Sequence, residues 1–185
     1  MLIIRSKLLS RYPNVVFGMS TRLGGFSLEP LGMNLSYSVG DRREDVDKNR
    51  ERFFGALNIS GERVAFPRQI HSGTVNVASV PGDYENCDAL ISNLKDVYLS
   101  VSIADCVPIF LYDPVAGSVA AVHSGWRGCK SGIVGSAIRR LETEFGVLPS
   151  NLVAYIGSSA GVCCYEVGEE VASAFDRAFV RREVG

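Results

Sequence analysis

The 185-residue chain holds only two histidines, His71 and His123, and five cysteines. Three of these side chains stand where chemistry could be done. Cys106 follows Ala104-Asp105, His123 opens the run His-Ser-Gly-Trp-Arg-Gly, and His71 closes Gln69-Ile70-His71. Each ends an apolar, strand-like segment, so all three can be presented from rigid supports. A thiolate with two imidazoles suits zinc, and three protein ligands with an open fourth position are the arrangement of catalytic zinc. A water bound there loses its proton near neutral pH and becomes a nucleophile. The chain has no CxxC or HExxH spacing, so spacing alone does not establish the site.

A second reading uses the same residues differently. Cys106 is a nucleophile activated by His123, with Asp105 or a backbone group orienting the imidazole. Asp105 can equally serve as a general base or as a hydrogen-bond partner to a ligating histidine. The bland alternatives are a hydrogen-bonded structural histidine and a cysteine packed as a small hydrophobe.

Three further stretches bear on the site. In residues 123–128, two glycines bracket the only tryptophan and an arginine just before a helix. An aromatic face beside a guanidinium can take a planar base and an anion together, or Trp126 is core and Arg127 a local salt bridge. Thr21-Arg22-Leu23-Gly24-Gly25 is a glycine-rich break, either an ordinary turn or a place of close ligand approach, with Arg22 an anion holder or a surface charge. Cys163 and Cys164 are adjacent after a loop and read as buried or loop thiols.

These residues are positioned by elements that periodicity predicts. Strands are expected over residues 15–20, 64–70, 74–80, 88–92, 97–104, 107–112, 119–123 and 152–156. The connection at His71-Ser72-Gly73 is tight, and residues 107–112 are apolar throughout, as befits a central strand. Residues 43–57 form a helix with Val46, Phe53, Phe54 and Leu57 on one face, and the charges of residues 41–52 form its solvated side. A second helix is capped by Ser131, carries Ile133, Ala137, Ile138, Leu141 and Phe145, and stops at Gly146. A third spans residues 169–179. Strands that cluster as hairpins, with few helices between them, favour an α+β fold with mixed sheets over a doubly wound one.

Composition bounds the rest. This length suits one domain, residues 1–185, that buries about 70% of its unfolded surface. Lys and Arg number 19 against 20 Asp and Glu, a net charge of −1, which argues against nucleic-acid and membrane-surface partners. The N-terminus lacks a signal-peptide pattern and no apolar run approaches a spanning helix, so a soluble cytoplasmic protein is expected. The cysteines, odd in number and irregularly spaced, are thiols or ligands there. The charged tail beyond Phe179 leaves the last helix uncovered, which suggests a domain that continues. The oligomeric state stays open.

The motifs together resemble a known family. They are Thr21-Arg22-Leu23-Gly24-Gly25, Met33-Asn34-Leu35, Gly40-Asp41, Asn49-Arg50, Gln69-Ile70-His71, Asp88-Ala89, Ala104-Asp105-Cys106-Val107-Pro108, His123-Ser124-Gly125-Trp126-Arg127-Gly128, Ile156-Gly157 and Cys163-Cys164-Tyr165-Glu166-Val167-Gly168. In this order they resemble the multicopper polyphenol oxidase (laccase-domain) or purine nucleoside phosphorylase family, the YfiH-like proteins. The resemblance implies a zinc site of His71, Cys106 and His123 in an α/β/β/α layered fold related to cysteine-hydrolase-like toxin domains. It further implies purine nucleoside and phosphate as substrates, with phosphorolysis of adenosine, inosine and methylthioadenosine and deamination of adenosine. Copper-dependent phenol oxidation and editing of peptidoglycan precursors have also been assigned to the family. Ser158 stands where the family has Pro, and Ser124 where Ala is common. Family members continue past this chain's end, so a C-terminal segment of the domain is expected to be lacking.

On that reading Arg22 and Arg127 hold phosphate, because guanidinium forks match phosphate oxygens. Asn34 and Gln69 join them as substrate-binding residues. Cys106 and Asp105 are the catalytic pair, Asp105 moving a proton in deamination. A multicopper cluster needs more imidazoles than two, which disfavours it within one subunit. A metal-free cysteine hydrolase and a zinc-stabilised interaction domain are the remaining alternatives.

Overall fold

The computed structural model describes residues 1–180. Two short strands, β1 (Ile3–Ile4) and β2 (Met19–Ser20), pair antiparallel near the N-terminus. The strand expected over residues 15–20 therefore forms only at its end. Phe17 packs edge-on between rings instead, 5.0 Å from Phe110 and 4.9 Å from Tyr155. Helix α1 (Arg43–Ala56) buries Val46, Phe53 and Phe54, and Leu57 follows them. Its charged side is not wholly solvated. Buried Asn49 accepts from the Phe26 amide at 2.7 Å and donates to the Gly32 and Asn34 carbonyls, and the Arg50 guanidinium lies over Tyr37 and Phe66.

Strands β3 (Val64–Pro67), β4 (Val75–Val77), β5 (Gly82–Tyr84), β6 (Ala89–Ser92) and β7 (Tyr98–Leu99) come next. The tight connection at residues 71–73 joins two sheets rather than two neighbours. β3 pairs parallel with β5 and β7, while β4 pairs parallel with β6. The strand expected to reach residue 104 stops at Leu99, where its short parallel register with β3 ends. Beyond it the Gln69 side chain takes over the backbone bonding of Ser102.

Strands β8 (Val107–Asp113) and β9 (Ser118–Ser124) form an antiparallel hairpin in register from Val107 opposite Ser124 to Asp113 opposite Ser118. A short helix, α2 (Trp126–Lys130), precedes α3 (Ile133–Phe145). Ser131 does not cap α3: its hydroxyl donates to the Gly128 carbonyl, and Gly132, at φ 71°, turns the chain into the helix. Gly146, also left-handed, ends it as expected. β10 (Val153–Ile156) pairs antiparallel with β8. The helix expected over residues 169–179 breaks into α4 (Glu169–Ala172) and a separate turn at Arg177–Phe179, which Asp176 caps by accepting from the Ala178 amide. The charged tail lies outside the described residues from position 181 on.

The strands make a five-stranded sheet, β10-β8-β9-β6-β4, and a three-stranded sheet, β5-β3-β7. Ile133, Ala137 and Leu141 of α3 pack on Ala89, Ile91, Leu111, Ala120 and Val122 of the larger sheet. Because side chains alternate along a strand, Leu90 of β6 points the other way, to meet Ala65, Ala78 and Cys87 between the sheets. Phe53, Phe54 and Leu57 cover the outer face of the smaller sheet at Val64 and Phe66. The layers run α3, large sheet, small sheet, α1: an α+β fold with mixed sheets in the expected α/β/β/α order.

Candidate metal centre

The hairpin places two of the three chemical residues. Cys106 immediately precedes β8, and His123 lies opposite Pro108 near the end of β9. Antiparallel pairing therefore sets thiol and imidazole side by side. His71 arrives from the other sheet, four residues after β3, in the left-handed conformation at φ 58°. The rings of His71 and His123 meet edge to face at 4.9 Å. One ligand atom from each of His71, Cys106 and His123 lies within 4.8 Å of the others, so a single ion can reach all three. His123 is buried, Cys106 half-buried and His71 exposed, which leaves one side of the group open.

Two residues that sequence reasoning did not place in the site complete it. Asp88, wholly buried, stands between the two histidines. Its Oδ1 accepts from the His71 amide at 2.9 Å and lies 2.8 Å from His123 Nδ1. Its Oδ2 accepts from the Ile70 amide and from both the amide and the hydroxyl of Ser72. Burial opposes ionisation of Asp88, but the bonds from Ser72, His123 and Ile70 outweigh it and hold the carboxyl below its ordinary value. The Asp88-Ala89 motif was the only trace of this role in the sequence. The second residue is Gly125. A Cβ there would stand 3.0 Å from His71 Cδ2 and 3.2 Å from Cys106 Sγ, so any larger residue would press on both ligands.

The thiol of Cys106 is pushed up by burial and by the negative charges of Asp105 and Asp88. A free thiolate is thus disfavoured here, and a bound cation would offset the burial and the two negative charges. One sulfur and two imidazole nitrogens fit zinc, and they also fit a mononuclear copper ion. They do not supply the imidazoles of a multicopper cluster.

The remaining expected residues are placed less directly. Asp105 is exposed beside Cys106, and its carbonyl accepts from Ala160. Arg127, exposed on α2, lies 4.3 Å over the Trp126 ring, so the indole and guanidinium do adjoin. Arg22 is exposed and its carbonyl accepts from the Met33 amide. Gln69 spends both ends of its amide on the Ser102 backbone, at 2.8 and 2.7 Å. Asn34 spends its own on Ser36 and Asp41. Cys163 and Cys164 are exposed loop thiols with their sulfurs 3.1 Å apart.

Fold and site together define a class. The chain belongs to the family described as multi-copper polyphenol oxidoreductase laccase, whose sequence model matches residues 16–184. It is 40% identical over 158 residues to the purine nucleoside phosphorylase Cgl2154/cg2365 of Corynebacterium glutamicum, covering 83% of this chain and 64% of that protein. It is 35% identical over 158 residues to the purine nucleoside phosphorylase YfiH of Escherichia coli, covering 84% of this chain and 63% of that protein. Among solved structures, YlmD from Geobacillus stearothermophilus superposes with a TM-score of 0.82 at 33% identity, over 85% of this chain and 62% of that one. The chain thus spans a little under two thirds of the length of these relatives. Among the described residues, no helix is long and apolar enough to cross a membrane.

Proposed function

We propose that this chain is a zinc-dependent purine nucleoside enzyme, which cleaves adenosine, inosine or methylthioadenosine with phosphate and also deaminates adenosine. The observation that carries the reading is the convergence of His71, Cys106 and His123 within reach of one ion. The substrate class comes from the relatives, whose names describe purine nucleoside phosphorylases. Zinc held by His71, Cys106 and His123 would supply positive charge and lower the pKa of a water.

The chain's own residues do the rest. Cys106 and the two histidines hold the ion. Arg127 and Arg22 draw phosphate by guanidinium forks, and the Trp126 face beside Arg127 offers a platform for a planar base. Asp105, exposed next to Cys106, carries a proton in deamination. Asn34 and Gln69 bind substrate only by exchanging the backbone and carboxylate bonds they now make.

Elemental analysis of the purified protein, paired with product detection on adenosine plus phosphate, tests this. Zinc near one per chain, with adenine and ribose phosphate formed, is expected. Stoichiometric copper with oxidation of phenols would instead mark a mononuclear copper enzyme. Turnover that survives chelators but not thiol alkylation would mark a cysteine hydrolase, such as one acting on a cell-wall precursor. Metal binding without any turnover would mark an interaction domain.

A further inference from the structure

We propose that Asp88 is the positioning residue of the three-ligand group, one carboxylate that fixes the ring of His123 and the backbone of His71 together. The inference rests on the metal reading of the site, and it concerns residues of this chain alone.

The argument for His123 is one of donors and acceptors. An ionised carboxylate only accepts, so the ring nitrogen 2.8 Å from Asp88 Oδ1 must carry the hydrogen. That nitrogen is Nδ1. A neutral imidazole has one N–H, so the lone pair stands on Nε2, the nitrogen left for the pocket. The His123 amide also donates to the Asp88 carbonyl at 2.7 Å, so ring and backbone are both tied to one residue. The negative charge behind the ring makes Nε2 a better donor to a cation.

His71 is held by different means. Three successive amides, Ile70, His71 and Ser72, all point at the same carboxylate, a concave nest of N–H groups around an anion. Such a nest needs a left-handed residue, and His71 supplies it at φ 58°. For a residue with a Cβ this conformation is unfavourable, and the bonds to Asp88 offset it. Without an anion at position 88, the three amides of residues 70–72 lose the shared acceptor around which they curl, the turn that brings the imidazole of His71 against that of His123.

A purely structural carboxylate, capping the 70–72 turn, would leave the tautomer of His123 unspecified. The test therefore reads the tautomer first. The chain has only two imidazoles, so histidine labelled with ¹⁵N gives two resolvable rings. In the metal-stripped wild-type protein at pH 8, His123 is expected with Nδ1 protonated and Nε2 bare. An Nε2–H tautomer, or a mixture of the two, overturns the proposal, and no variant is needed to see it.

The second readout is zinc affinity by competition with a chromophoric chelator. Asp88→Asn keeps the volume but turns an NH₂ toward groups that all donate, and should weaken zinc binding about 10- to 100-fold. Ser72→Ala removes one of the five donors to Asp88, together with the acceptor of the Thr74 amide, and should weaken it less. An unchanged zinc affinity in a folded D88N protein overturns the proposal. Failure of the wild-type protein to bind zinc defeats the function proposed above instead, and the tautomer still decides the role of Asp88.

Discussion

Cys106 and His123 reach the site from the two strands of one hairpin, whereas His71 reaches it from the end of a parallel strand in the other sheet. The hairpin pair is set by seven facing residue pairs in continuous register and by α3 packed behind them. The His71 arm has no such ladder. It is tied by side chains: Asp88 to residues 70–72, and Gln69 to Ser102. One donor is thus part of the sheet, a second directly adjoins it, and the third is hung between the sheets. The difference teaches where the site can be broken without unfolding the protein, and where it cannot.

The largest effect should come from the hairpin half. Cys106→Ala removes the only sulfur of the group and should abolish stoichiometric metal and activity together, read by elemental analysis and nucleoside turnover. Full phosphorolysis by a metal-free variant would contradict the proposed function. Next come two leucines, both wholly buried, that separate the halves. Leu141→Ala and Leu90→Ala should each cost about 2–5 kcal/mol in urea unfolding. Leu141 packs only behind the large sheet, so the folded L141A protein should keep its zinc affinity. Leu90 lies between the sheets, so L90A should weaken zinc binding as well as stability. Equal zinc affinity in the two variants would erase the distinction between halves.

Smaller effects probe the arm itself. Gly125→Ala should crowd His71 and Cys106 and lower zinc affinity severalfold while thermal unfolding changes little. Gln69→Ala should cost about 1 kcal/mol and speed hydrogen exchange at the Ser102 amide, leaving the β8–β9 amides unchanged. The smallest expected signal is at Cys87, between the sheets, whose thiol burial and then the charge of Asp88 push up to about 11. A raised thiol value means the proton is kept below it, so Cys87 should resist alkylation at pH 8 and react only as the pH climbs toward 11. Exposed Cys129, Cys163 and Cys164 should be modified first, as peptide mass mapping would show.

The same contrast explains what the sequence disclosed. The strands expected over residues 107–112 and 119–123 form, lengthened to Asp113 and to Ser118 and Ser124, and they were legible because their pairing is local and their turn is marked by Asp113-Pro114 and Gly117. Scarcity of histidine drew His71, Cys106 and His123 together before any geometry was known. The rest depended on long-range partners. Strand 97–104 shortens to Tyr98–Leu99 because its pairing with β3 ends there, the Ser100 amide making the last bond to Ala65, and nothing local signals that Gln69 replaces the ladder. Asp88 looked like the polar start of a short apolar strand, since its five donors come from residues 70–72 and 123. Gly125 read as one glycine of a motif, because the crowding around it belongs to two other segments.

The hairpin also sets an order of events. Closing a local antiparallel pair costs little chain entropy and takes microseconds, while parallel pairing of β3 with β5 and β7 must wait for distant segments to meet. Bringing the thiol and the imidazole of His123 together therefore costs less chain entropy than bringing in the imidazole of His71 from the other sheet.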